Sequence, residues 1–220
     1  MSADLTHVDT WLFDLDNTLY PEECEHMLLV EGRMTEFVAR ETGLPKAEAL
    51  ALQKKYLHEH GTTLAGLMAN HGVDPEHFLD EVHDVALDRI QPDPALAKAL
   101  ERLPGRRLVF TNGSAKHAER VLAHMGLDPL FEDVFHIAAA DYIPKPAQET
   151  FHRLMERHAV APLETAFFED SERNLEPAAD LGMTTVLVGR KAQASNATFV
   201  HHRTDDLAGF LKSAKVRSPA

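Results

Sequence analysis

Five short apolar runs recur along the chain, and four places at or just beyond the ends of such runs carry chemically capable residues. The runs are Val8-Asp9-Thr10-Trp11-Leu12-Phe13, Leu108-Val109-Phe110, Val134-Phe135-His136-Ile137, Thr165-Ala166-Phe167-Phe168 and Thr184-Thr185-Val186-Leu187-Val188. Nearly continuous apolar runs of this length suit parallel strands buried on both faces. Helical periodicity fills the gaps at 115–125, 147–158 and 174–181, and Gly126 and Gly182 stand as stops behind two of them. Strand and helix in alternation predict an α/β fold: a doubly wound, mainly parallel sheet with a Rossmann-like core.

The alternation breaks once. Residues 22 to 90 hold no strand-like run and read as helices near 25–41, 46–59, 63–71 and 75–90. Gly43-Leu44-Pro45, Gly61-Thr62-Thr63 and Gly72-Val73-Asp74-Pro75 separate them, and Gln91-Pro92-Asp93-Pro94 closes the segment. A strand-to-helix crossover is usually far shorter. The expected organisation is therefore an α/β core of residues 1–20 plus 91–220, with an all-helical cap of 21–90 inserted after the first strand. The polar tail after Gly189 is expected to hold one helix near 204–213 and to be mobile from Ser213 to Ala220.

In an open parallel sheet, ligands bind outside the carboxyl ends of the strands. The first such end reads Asp14-Leu15-Asp16-Asn17-Thr18. Residues two apart in extended chain share a face, so Asp14 and Asp16 can address one ligand. One carboxylate can attack phosphorus while the other moves the proton of the leaving oxygen. The second end, Phe110-Thr111-Asn112-Gly113-Ser114, offers a hydroxyl and backbone N–H groups at a helix start, which suit a phosphate oxygen. Lys145, between Pro144 and Pro146, can offset phosphate charge. The fourth end is Phe167-Phe168-Glu169-Asp170-Ser171. Adjacent acids there need compensation, and magnesium, which takes oxygen ligands and works with phosphate, is the natural compensator.

Each signal has a plain structural alternative: a polar turn, a Ser114 helix cap, a loop lysine, an Asp170 or Ser171 cap. Electrostatics joins them. Two like charges about 4 Å apart repel by roughly 4 kcal/mol at an effective dielectric near 20, so a phosphate dianion does not approach Asp14 unaided. A divalent cation and Lys145 together reverse that sign.

With those residues in place, the chain resembles the haloacid-dehalogenase-like superfamily of phosphohydrolases over about 8–20 and 91–190. The resemblance implies Asp14 as nucleophile, Asp16 as acid/base, Thr111 holding the phosphoryl group and Lys145 neutralising it. It implies Mg2+ held by the Asp14 side chain, the Asp16 carbonyl and Asp170, with Glu169 either a ligand or a support behind one. Asn174 is similar to a polar residue that braces the loop, and the helical insert is similar to the superfamily's small cap, which closes over the site. Trp11 through Pro21, Tyr56 through Gly66 and Phe110 through Ala118 resemble the pyrimidine 5′-nucleotidase branch, implying a nucleoside monophosphate substrate. Alternatives are a phosphoglycolate or sugar-phosphate phosphatase, a phosphoglucomutase-like phosphotransferase, a dehalogenase, or a silent binding protein. Thr62 and Thr63 read equally as a cap loop entering the site and as a turn between helices, and Arg33 reads as a surface arginine.

Composition limits the partners. The formal charge of −13 argues against a nucleic-acid polymer, whose backbone needs clustered Lys and Arg. A small phosphorylated metabolite remains the expected partner. No apolar run approaches the roughly 20 residues of a membrane helix, and Met1 to Thr6 do not open a signal peptide. A lone Cys24 suits a reducing, cytoplasmic setting. His58, His60, His77 and His83 read as solvated surface residues. The sequence sets no oligomeric state.

Overall fold

The computed structural model describes residues 2–217. Its centre is a six-stranded sheet, all parallel, built from β1 (Thr10–Phe13), β2 (Arg106–Phe110), β3 (Asp133–Phe135), β4 (Thr165–Glu169), β5 (Thr184–Val188) and β6 (His202–Thr204). The spatial order is β3-β2-β1-β4-β5-β6. The chain builds outward from β1 to β3, then returns to β1 and builds the other way. Such a reversal leaves a crevice at the carboxyl ends of β1 and β4, where ligands of open α/β sheets bind.

Period-two alternation explains why the sheet is apolar on both faces. Trp11, Phe13, Val109, Ala166 and Phe168 point into one core. Leu12, Leu108, Phe110 and Phe167 point into the other. The helices α5 (Pro94–Glu101), α6 (Ala115–Met125) and α9 (Leu207–Ser213) cover the first face, and α7 (Gln148–His158) and α8 (Glu172–Asp180) cover the second. Ring stacking of Phe13 on Phe168 at 4.6 Å fixes β1 beside β4 at the crevice.

Between β1 and β2 lie α1 (His26–Thr42), α2 (Lys46–His60), α3 (Thr63–His71) and α4 (Pro75–Val82). Their apolar faces make a third cluster, including Val30, Phe37, Tyr56, Leu67, Phe78 and Leu79, joined from the α/β side by Ile137. The α2–α3 contact depends on Gly66, because a Cβ there would meet Tyr56 Cγ at 2.3 Å.

Three expectations need correction. The fourth helix ends at Val82 rather than near 90. Arg120 donates to the carbonyls of His83 and Val85 at 2.8 and 3.0 Å, so those groups are bound elsewhere instead of extending the helix. The tail holds a sixth strand, β6, before its helix, and the segment expected as a stiff connection opens α5, which begins at Pro94 with Asp93 as its N-cap. The carboxyl-terminal segment is anchored as far as Lys215, which bridges to Asp4 in parallel, while Ala214 is buried. Residues 218–220 lie outside the described residues. Among the described residues, no helix is long and apolar enough to cross a membrane.

Gly66→Ala should lower the unfolding free energy by about 1–3 kcal/mol through overpacking against Tyr56. Gly32→Ala in α1, where an added Cβ meets nothing within 4 Å, should raise it by about 0.5–1 kcal/mol. Urea denaturation of the two variants checks both signs.

Candidate active site

The β1 ladder continues one residue past the strand: Asp14 N donates to Phe168 O at 2.9 Å. That bond fixes the backbone of Asp14 at the crevice, and the residue is only 6% exposed. Thr18 Oγ1 donates to Asp14 Oδ2 at 3.2 Å, and Lys145 Nζ donates to Asp14 Oδ1 at 2.7 Å.

Lys145 is buried and uses all three of its protons. Besides Asp14 it donates to Glu169 Oε2 and to Phe110 O, each at 2.7 Å. One ammonium therefore ties together the ends of β1, β2 and β4. Asn112 holds Lys145 in place, accepting from Lys145 N at 2.8 Å and donating to Lys145 O at 3.2 Å. The Asn112 amide is thus spent on the lysine backbone although the residue lines the cavity. Thr111 N extends β2 by donating to Phe135 O, and Thr111 Oγ1 accepts from Gly113 N at 2.9 Å.

The acids outnumber the lysine. Carboxylate oxygens of Asp14, Glu169 and Asp170 lie within 4.8 Å of one another. Burial, reinforced by the charge of Glu169, pushes Asp14 up to about 7 against the pull of Lys145. Burial likewise raises Glu169 to about 7. It raises Asp170 to about 6, with the charge of Asp14 adding to the effect. Burial alone would lower Lys145, but Asp14 and Glu169 hold it above the ordinary lysine range. Crowded oxygen donors with excess negative charge match what a hard divalent cation binds. Within the set, both Glu169 oxygens are engaged: Oε2 on Lys145, and Oε1 accepting from Ser171 N at 3.1 Å.

Asp16 sits apart from this group. Its Oδ1 accepts from Tyr20 OH at 2.5 Å and from His117 Nε2 at 2.8 Å. Burial raises its carboxyl, but the charge and hydrogen bond of His117 and the hydrogen bond of Tyr20 outweigh that and leave it well below the usual range.

A cavity of about 450 Å³ opens over these groups. Asp14, Asp16, Thr111, Gly113, Lys145, Glu169, Asp170 and Asn174 line one side; Met27, Met34, Gln53, Leu57, Phe78 and Leu79 line the other. Thr62 and Thr63 also line it, but Thr62 caps α3 by accepting from Ala65 N, and Thr63 Oγ1 donates to Gln53 O. Their loop does meet the α/β side, for a Cβ on Gly61 would lie 3.1 Å from Pro144. Asn174 N donates to Ser171 O at 3.0 Å, within the turn that opens α8. Arg33 stays outside the cavity and donates to Asp84 O.

His83 contradicts its expected place at the surface. It is buried, as are His26 and His117. Charged neighbours suggested a solvated face, whereas the packing of the insert's ends against α6 encloses these rings. Tyr20, Thr18 and His117 are site residues that sequence reasoning gave no role. Their one signal was spacing: Thr18 and Tyr20 lie four residues beyond the two acids, and His117 lies in the first turn of the helix after Thr111.

The sequence matches the haloacid dehalogenase-like hydrolase family over residues 8–182, and the chain belongs to that family. It is 27% identical over 194 residues to phosphate metabolism protein 8 of Saccharomyces cerevisiae, covering 80% of this chain and 60% of that protein. It is 34% identical over 111 residues to the Escherichia coli fructose-1-phosphate phosphatase YqaB, covering 49% of this chain and 57% of that one. In both cases it spans less than two thirds of the relative's length. The Escherichia coli GMP/IMP nucleotidase YrfG is 26% identical over 181 residues, 80% of each chain. The fold is similar to that of a phosphatase of the same superfamily from Thermococcus onnurineus, with a TM-score of 0.63, 22% identity and coverage of 96% and 97% of the two chains.

Lys145→Met should destabilise the metal-free protein by about 3–5 kcal/mol, because it strands buried acids without a cation. Adding Glu169→Gln to that variant should recover part of the loss. Urea midpoints at pH 8 in chelator check both.

Proposed function

We propose that the chain is a magnesium-dependent phosphomonoester hydrolase acting through an aspartyl-phosphate on Asp14. The observation that carries this reading is the Asp14 carboxylate itself. Its backbone N–H is fixed on Phe168 O and its oxygens accept from Lys145 and Thr18, beside a surplus of acids, at the floor of a ligand-sized cavity.

In this reading an Asp14 oxygen attacks phosphorus as the P–O bond to the leaving group breaks. Asp16, ionised in the free protein, takes up the proton of the incoming phosphate monoanion and gives it to the departing oxygen. Water then attacks the aspartyl-phosphate, Asp16 takes a proton from it, and phosphate leaves with Asp14 restored. The Thr111 hydroxyl, its oxygen held by the Gly113 N–H, is left to donate to a phosphoryl oxygen, and Lys145 keeps Asp14 oriented and offsets charge. The Asp14 side chain, the Asp16 carbonyl and Asp170 would hold magnesium, with Glu169 supporting Lys145 from behind; the ion would neutralise phosphate charge.

We assign the substrate to the nucleoside 5′-monophosphates, pyrimidine ones first. The cavity lies within the roughly 300–1,000 Å³ of small-molecule pockets. Its outer wall of Met27, Met34, Leu57 and Phe78 offers apolar surface for a flat base. The nucleotidase name of YrfG agrees with this class, although its substrates are purine nucleotides. The likeness to YqaB favours a sugar-phosphate phosphatase as the second reading. Residues 21–90 act as the cap over a core of 1–20 and 91–220, supported by their separate apolar cluster. The lone Cys24, which is free, fits the cytoplasmic setting proposed.

Phosphate release with Mg2+ from UMP, CMP, dUMP, AMP, phosphoglycolate and hexose phosphates tests the assignment. Nucleotides should lead; a flat profile sinks the substrate class and leaves the hydrolase standing. Asp14→Asn should lose on the order of 10⁴-fold or more in kcat while staying folded. Mg2+ should raise the melting temperature of the wild type by mass action, and Asp170→Asn should abolish that rise.

A further inference from the structure

The Asp16 carboxylate is gripped on one side only. Oδ1 accepts both hydrogen bonds, from Tyr20 OH and His117 Nε2, while Oδ2 accepts none among the described residues. Oδ2 faces Gly113, where an added Cβ would lie 3.7 Å away. Two bonds on one oxygen orient the other without occupying it.

His117 is itself held by rings from both ends of the helical insert. His26 opens α1 and stacks with His117 at 6.0 Å and 5° between planes. His83 follows α4 and stacks with it at 4.3 Å and 13°. Tyr20 meets His26 edge-on at 5.7 Å, so Asp16, Tyr20, His26 and His117 form a closed ring of contacts. The arrangement carries a cost. Both nitrogens of His26 and Nδ1 of His117 are buried without a hydrogen-bond partner. An apolar residue at such a place would avoid that cost, so each orphan group calls for an explanation.

We propose that His117 is the positioning residue for Asp16, holding Oδ1 so that Oδ2 is aimed at the substrate's leaving oxygen. The inference rests on the reading of Asp16 as the acid/base. His26 and His83 seat the His117 ring, which makes the aim of the acid depend on how the helical insert sits on the sheet. In the step concerned, Asp16 Oδ2 has taken up the proton brought by the substrate's phosphate monoanion; the bond from Asp14 Oδ to phosphorus forms, the phosphorus–oxygen ester bond breaks, and that proton passes from Oδ2 to the departing oxygen.

The test compares kcat/KM for an alkyl phosphate, whose alkoxide needs a proton to leave, with that for p-nitrophenyl phosphate, whose nitrophenolate does not. This parameter reports only the steps up to the first bond cleavage, so the later attack of water does not mask the difference. In His117→Ala the alkyl-to-aryl ratio should fall by on the order of 10²-fold. His117→Gln, which restores an N–H donor, should recover most of the ratio. A purely structural histidine would lower both substrates together. If His117→Ala does not fold, His117→Phe keeps the ring and removes the donor, and the same fall is expected. A wild-type ratio in folded His117→Ala or His117→Phe overturns the inference, provided Asp16→Asn collapses the ratio. An unchanged ratio in Asp16→Asn overturns the acid/base reading, and the inference with it.

Discussion

One buried ammonium organises this molecule's chemistry. Lys145 spends its three protons on Asp14, Glu169 and the carbonyl of Phe110, and so welds the ends of three strands around a single charge. A buried cation is costly unless paired, and a buried acid equally so. The pairing here is incomplete, because Asp170 joins the other two acids within 4.8 Å. The residual negative charge leaves the crevice short of positive charge rather than a closed salt bridge, and the divalent cation proposed above would supply it. The aromatic packing beneath, Phe13 on Phe168 and Phe110 beside Phe151 and Phe167, keeps these strand ends from moving apart.

The sheet and the polar residues at its strand ends were legible because buried parallel strands leave a clear trace. Trp11-Leu12-Phe13 and Ala166-Phe167-Phe168 could hardly be anything else between polar turns, and each ends at an acid that a buried strand does not tolerate idly. The family match over residues 8–182 follows the same pattern. Other features left weaker traces. The strand His202–Thr204 has three residues and polar side chains, so neither length nor periodicity betrays it. The end of α4 is decided by Arg120, a residue 38 positions away from Val82, and no local pattern contains that information. His83 read as a surface residue because its sequence neighbours are charged, while its burial comes from the insert packing on α6.

The helical insert adds what the sheet lacks. The crevice presents acids, a hydroxyl and a lysine, groups suited to phosphate and indifferent to what the phosphate is attached to. The apolar wall of Met27, Met34, Leu57 and Phe78 comes wholly from α1, α2 and α4. In the proposed reading, recognition of the leaving group and chemistry at phosphorus reside on different elements, which meet where His26 of α1 and His83 after α4 stack on His117.

The central claim, that Asp14 becomes covalently phosphorylated, is tested most directly by acid quench during turnover of a substrate labelled in its phosphoryl group, followed by peptide mapping. The account predicts label on the Asp14 side chain, lost on treatment with hydroxylamine as an acyl phosphate should be. Label recovered on another side chain, or an unlabelled chain throughout turnover, would contradict it.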